Sequence, residues 1–92
     1  MKKRILHLTL KKKWFDLIAS GEKKEEYRYI KDYWINRFFD KNESIIEFDE
    51  IHFKNGYSEN SPFMRIEWKG LEWNNEKDIF IIILGKVLEV KQ

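Results

Sequence analysis

Gly21-Glu22-Lys23-Lys24-Glu25-Glu26-Tyr27-Arg28 joins a helix-like segment to a strand-like one. The stretch reads G-x-K-x-x-E-x-R. Gly21 marks the helix stop, because glycine takes the left-handed conformation at the position after a helix without a Cβ clash. Lys23 follows at the mouth of that turn. Glu26 and Arg28 are two apart, so on an extended strand they point to the same face. Opposite charges at that spacing orient each other and leave guanidinium donors free for a ligand.

Upstream, Arg4–Leu10 alternates, with Leu6, Leu8 and Leu10 on one side and Ile5, His7 and Thr9 on the other, the pattern of a half-buried strand. Thr9 is placed to cap a following helix. From Lys11 to Ser20 the residues Trp14, Phe15, Leu17 and Ile18 fall on one helical face. Lys11, Lys12 and Lys13 crowd the positive end of that helix, an arrangement that suits an anion such as phosphate.

Downstream, Lys24–Tyr29 reads as a strand. Glu25, Tyr27 and Tyr29 share one face, and at least one of the tyrosines is expected in the core. Lys31–Phe39 returns to helical spacing, with Asp32 as its cap and Arg37 in its last turn. Phe48–Lys54 is a short strand with Phe48, Ile51 and Phe53 inward. Asn55-Gly56 then opens a loop that contains the only proline, Pro62. Phe63–Lys69 alternates, Gly70 marks a bulge or bend, and Leu71–Trp73 continues the strand to a turn at Asn74–Asp78. The apolar run Ile79–Leu84 suits an interior strand covered on both sides. Gly85, Val87, Leu88 and Val90 extend it past a bend.

Composition bounds the function. Ninety-two residues make one domain, 1–92, and a 16% aromatic share lets a short chain bury a large area. There is no cysteine, hence no disulfide, thiolate nucleophile or cysteine-ligated metal. His7 and His52 are the only imidazoles, and nothing in the sequence brings them together. No metal and no cofactor is expected. No apolar run approaches the roughly 20 residues of a membrane span, so no membrane partner is expected. The apolar run after Met1-Lys2-Lys3-Arg4 breaks at His7, which argues against a secretory signal and for a cytoplasmic protein. Net charge is +2, but residues 1–32 carry ten Lys/Arg against five acids, and residues 33–62 three against six. A basic N-terminal third suggests a side that faces a polyanion.

Five to six strands and two helices with mostly local turns predict an α+β domain, a mixed β-barrel with helices on one side. The G-x-K-x-x-E-x-R stretch resembles the signature of the ASCH family, small domains with a fold similar to the PUA RNA-binding domain. All four motif positions match: Gly21, Lys23, Glu26 and Arg28. The flanks Leu8-Thr9-Leu10-Lys11, Trp14–Ile18, Ile51–Tyr57 and Phe80–Gly85 look similar too, so the resemblance covers nearly the whole chain. It implies a PUA-like barrel with the motif lining a cleft between barrel and helices.

In that setting Lys23 holds a phosphate or carboxylate, or acts as a base. Glu26 pairs with Arg28 or contacts the ligand, and Arg28 meets phosphate or the edge of guanine. Lys54, Asn55 and Tyr57 sit at a strand end where binding residues collect and form the expected rim. Trp14 and Trp34 are expected to pack, and His7 to be a hydrogen-bonded strand residue.

Three functions stand beside one another. The first is a module binding RNA, nucleotide or nucleoside through the motif cleft. The second is a metal-independent amidohydrolase using Lys23 and Glu26, as one family branch acts on N(4)-acetylcytidine. That branch carries a threonine where Glu26 stands, and a distant glutamate for which Glu67 is the counterpart to consider. A carboxylate locked to a guanidinium is a poor proton acceptor near neutral pH, which argues against hydrolysis. The third is a protein-interaction or regulatory module with a vestigial cleft.

Overall fold

In the computed structural model, which describes residues 2–92, the alternating segments become five strands and the two 3.6-periodic segments become helices. The elements are β1 (Ile5–Thr9), α1 (Lys12–Ala19), β2 (Glu25–Tyr29), α2 (Asp32–Phe38), β3 (Glu50–Lys54), β4 (Phe63–Asn74) and β5 (Ile79–Lys91). The domain is α+β, and its one sheet runs in the order β1-β3-β4-β5-β2. β1 lies parallel to β3; every other pairing is antiparallel. The two helices lie in the connection that carries the chain from β1 to its parallel neighbour β3, with edge strand β2 between them.

The long β4–β5 hairpin curls the sheet into a half-barrel. Its register shifts three times between Arg65 and Gly70, and such irregularities raise local twist and bend the strands. At the same bend a Cβ on Gly85 would stand 2.8 Å from the Glu67 Cβ, so only glycine lets the two strands approach. The first half of β4 therefore pairs with β3, and the first half of β5 with β2.

Alternation then decides what faces the core. Leu6 and Leu8 of β1, Ile51 and Phe53 of β3, Met64, Ile66 and Trp68 of β4, and Phe80, Ile82 and Leu84 of β5 are buried together. Phe15 and Ile18 fasten α1 to this core and Phe38 fastens α2. Each such side chain contributes about 1.5–3 kcal/mol on burial. Phe38 stacks on Trp34 and meets Phe80 edge-on, so α2 is held by aromatic contacts.

Several local expectations need correction. Thr9 does not cap α1: it is the last paired residue of β1, and Lys11 occupies the N-cap with no side-chain bond. Lys31, not Asp32, is the N-cap of α2; Asp32 sits in the first turn, still favourable to the helix dipole. Phe48 precedes β3 and packs against the core from a loop. The run Ile79–Leu84 is interior to the sheet but not covered on both sides: Phe80, Ile82 and Leu84 are buried, whereas Ile79, Ile81 and Ile83 are half-buried. β1 and β2 are the sheet's two edges and share no backbone ladder. Among the described residues no helix is long and apolar enough to cross a membrane.

Candidate functional site

Gly21 ends α1 as its sequence position requires. Its φ is +84°, its N–H donates to the Ile18 carbonyl, and the Lys23 N–H donates to the Leu17 carbonyl, both at 3.0 Å. This tight exit turns the chain straight into β2 and fixes where Lys23 begins.

The register of β2 on β5 sets the rest. Glu26 pairs with Ile82 and Arg28 with Phe80, both core-facing, so Glu26 and Arg28 are carried on the core side of the sheet. Tyr27 and Tyr29 lie on the opposite face, beside Ile81 and Ile79, and both are exposed. The expectation that one tyrosine would be core is therefore wrong. A charged pair occupies the inward face, and it tolerates that position because its members satisfy one another.

Glu26 is buried, with one carboxylate oxygen 2.5 Å from the Arg28 guanidinium and the other 3.4 Å from Lys23 Nζ. Lys23 and Arg28 are themselves only 15% and 18% exposed. Lys23 also donates to the Glu25 carbonyl and lies 4.5 Å from the Tyr27 ring centre and 5.6 Å from that of Trp14. Arg28 also donates to the Tyr27 carbonyl, and its guanidinium reaches toward the Thr9 carbonyl on β1, 3.5 Å away. The motif thus sits at one open edge of the half-barrel, with Arg28 reaching across toward the other.

Beside this cluster lies a cavity of about 400 Å³, walled by Thr9, Leu10, Lys11, Trp14 and the side chains Lys23, Glu26, Tyr27 and Arg28. Trp14, expected to pack, is instead 39% exposed; Lys13 and Lys23 both lie against its ring. Trp34 does pack, partly buried against the core. Lys12 is tied to Asp16 at 2.6 Å, whereas Lys11 makes no ion pair among the described residues and stands at the cavity wall. The cavity therefore meets three cations, one carboxylate and an aromatic face. The Tyr27 phenol donates to Glu25 at 2.7 Å, and this bond to a carboxylate raises its pKa and keeps it protonated.

The expected rim is only partly there. Asn55 donates from Nδ2 to the Leu10 carbonyl at 2.9 Å, so it braces the cavity wall from behind. Lys54 lines a different cavity, with Glu59 and Phe63, and Tyr57 is 91% exposed and away from the motif. Glu67 projects from the outer sheet face, between core-facing Ile66 and Trp68, and accepts the Lys86 N–H at 2.9 Å. It does not line the motif cavity.

A second cluster occupies that outer face. The register lines up His7, His52, Arg65 and Glu89 across four strands. His7 and His52 do meet, edge to face at 5.4 Å, contrary to expectation; partial desolvation first, then the neighbouring His52, Arg37 and Lys54, lower the His7 pKa. Buried Glu50 accepts from Lys3 at 2.6 Å and from Arg65 at 2.8 Å, and stands 3.0 Å from His52. These partners, Lys3 foremost, hold its pKa at about 2. Among the described residues no group of three or more His, Asp or Glu side chains is placed to hold a metal ion.

In comparisons with known proteins, no protein-family model and no curated protein matches the chain. Lys11 and Trp14 are the members of the site that motif reasoning did not assign. The crowding of lysines at the start of α1 was the available signal.

Proposed function

We propose that this chain is an ASCH-like domain of PUA-like fold that binds RNA or a nucleotide in the motif cavity. One observation carries the reading: Glu26 holds both Lys23 and Arg28 at the wall of a single cavity that Lys11 and the exposed Trp14 complete. Two cations sharing one carboxylate retain a net positive charge, and Lys11 adds to it. Arg28 keeps guanidinium donors for phosphate. An aromatic face beside them suits a stacked base, worth about 1–3 kcal/mol. The cations are oriented before any ligand arrives, which lowers the entropic cost of binding. The basic N-terminal third agrees with the same side meeting a polyanion.

Hydrolysis of acetylated nucleosides gains no support from this geometry. Each Glu26 oxygen already lies against a cation, and no hydroxyl nucleophile is supplied at that position. Incubation with N(4)-acetylcytidine is expected to leave it intact.

The test is titration of fluorescent single-stranded and hairpin RNAs at several salt concentrations. About three phosphate contacts give a log–log slope of about −2, from roughly −0.7 per contact on a single strand. Lys11→Ala should reduce that slope by about one contact's share without unfolding the domain. Absence of RNA and nucleotide binding at low salt overturns the proposal.

A further inference from the structure

The motif cavity has a neighbour. A cavity of about 530 Å³ lies between the end of β2 and α2, lined by Tyr27, Arg28, Tyr29, Lys31, Trp34 and Ile79. Tyr27 and Arg28 belong to both cavities, so the two adjoin along β2. Its volume is that of a small-molecule site. Three of its six lining residues are aromatic, two are cationic and none is acidic. The Arg28 guanidinium lies 5.4 Å from the Trp34 ring centre, and Lys31 Nζ lies 5.9 Å from that of Tyr29. Tyr29 is 65% exposed on an edge strand, where packing gives no reason for an aromatic residue.

We infer that this cavity is a second subsite that stacks the unpaired base next to the nucleotide held in the motif cavity, so that the ligand is a single strand of at least two nucleotides. The inference rests on the proposed nucleotide-binding function. The side chains divide the work by chemistry. Tyr29 offers its exposed ring to a base, and Trp34, which stacks on Phe38 and carries the Arg28 guanidinium, walls the pocket beside it. Lys31, and Arg28 at the wall common to both cavities, meet the linking phosphate. A duplex end would not enter, because a terminal paired base exposes only one face, and its other face and its pairing edge are taken up in the helix. Single-stranded nucleic acid is favoured over an acidic peptide, because the cations here alternate with exposed rings rather than forming a purely cationic patch.

The experiment compares dissociation constants for adenosine 5′-monophosphate and the dinucleotide pApA, by calorimetry, on the wild type, Tyr29→Ala and Lys31→Ala. Both replaced side chains are exposed, so the fold should stand. Wild type should bind pApA about tenfold or more tightly than the mononucleotide, the gain expected of one stacked base. Tyr29→Ala should erase most of that gain and leave mononucleotide affinity unchanged; Lys31→Ala should reduce it and weaken its salt dependence. Equal wild-type affinity for the two ligands, or a gain that survives both substitutions, overturns the second subsite and leaves the first. Failure of both ligands to bind overturns the nucleotide-binding function itself.

Discussion

Glu26 and Glu50 are both buried carboxylates held by cations, on opposite faces of one sheet. The partners of Glu26 are Lys23 and Arg28, three and two residues away, and both are largely shielded from water. Glu50 draws on Lys3, His52 and Arg65, of which Lys3 is 62% exposed and Arg65 has a second carboxylate in Glu89. The Glu26 cluster carries one carboxylate for two cations and borders a cavity. In the Glu50 cluster the guanidinium lies between two carboxylates. One carboxylate concentrates positive charge beside a cavity; the other locks strands together. Similar residue types do different work because of what else each cation can reach.

Removing each carboxylate should break this symmetry. Glu26→Gln leaves two shielded cations without their counter-charge, at a cost of about 3 kcal/mol, the low end for breaking a buried pair. Thermal unfolding should drop by about 15 °C in a domain of this size. Glu50→Gln should cost less, about 2 kcal/mol, because Lys3 returns to water and Arg65 keeps Glu89. Thermal melts of the two variants side by side check the order; an equal or reversed order contradicts the account of shielding.

Acid sharpens the contrast further. The folded-state pKa of Glu50, about 2, lies below the ordinary 4.5, so its stabilisation is fully present above pH 4.5 and is lost as pH falls toward 2. The melting difference between wild type and Glu50→Gln should therefore hold steady at higher pH and close between pH 4.5 and 2. A difference that is already gone at pH 5 contradicts it.

A smaller effect is expected behind the cavity wall. Asn55→Ala removes the bond to the Leu10 carbonyl and should cost about 1 kcal/mol. It should also weaken mononucleotide binding slightly by loosening the Leu10–Lys11 wall. Urea denaturation and calorimetry measure the two effects separately.

The same comparison explains what could be foreseen in the chain. The Glu26 cluster was legible because its members are sequence neighbours: Gly21 must end the helix, and an i, i+2 pair on a strand must share a face. The helices and the alternation of β1 and β4 were legible from their periods. The Glu50 cluster was not, because it assembles residues 50, 52, 65 and 89 through the register of three strands and Lys3 from the chain ahead of β1. His7 and His52 meet for the same reason, as register partners on parallel strands 45 positions apart. The faces of β2 were inverted in expectation because apolar patterning sends tyrosines inward. A mutually paired Glu–Arg at a cavity reverses that preference. The closure of the sheet into a half-barrel depends on the bulges between Arg65 and Gly70, and Gly70, with Gly85 on the facing strand, was their trace in the sequence.

The most direct measurement is a titration of isotope-labelled protein with a short single-stranded oligoribonucleotide, followed by amide and indole NMR shifts. Saturable shifts should appear at Lys11, the Trp14 indole, Lys23 and Arg28, with the Glu50, His52 and Arg65 signals unmoved. Shifts confined to the Glu50 face, or none at low salt, would contradict the assignment of the motif cavity as the binding site.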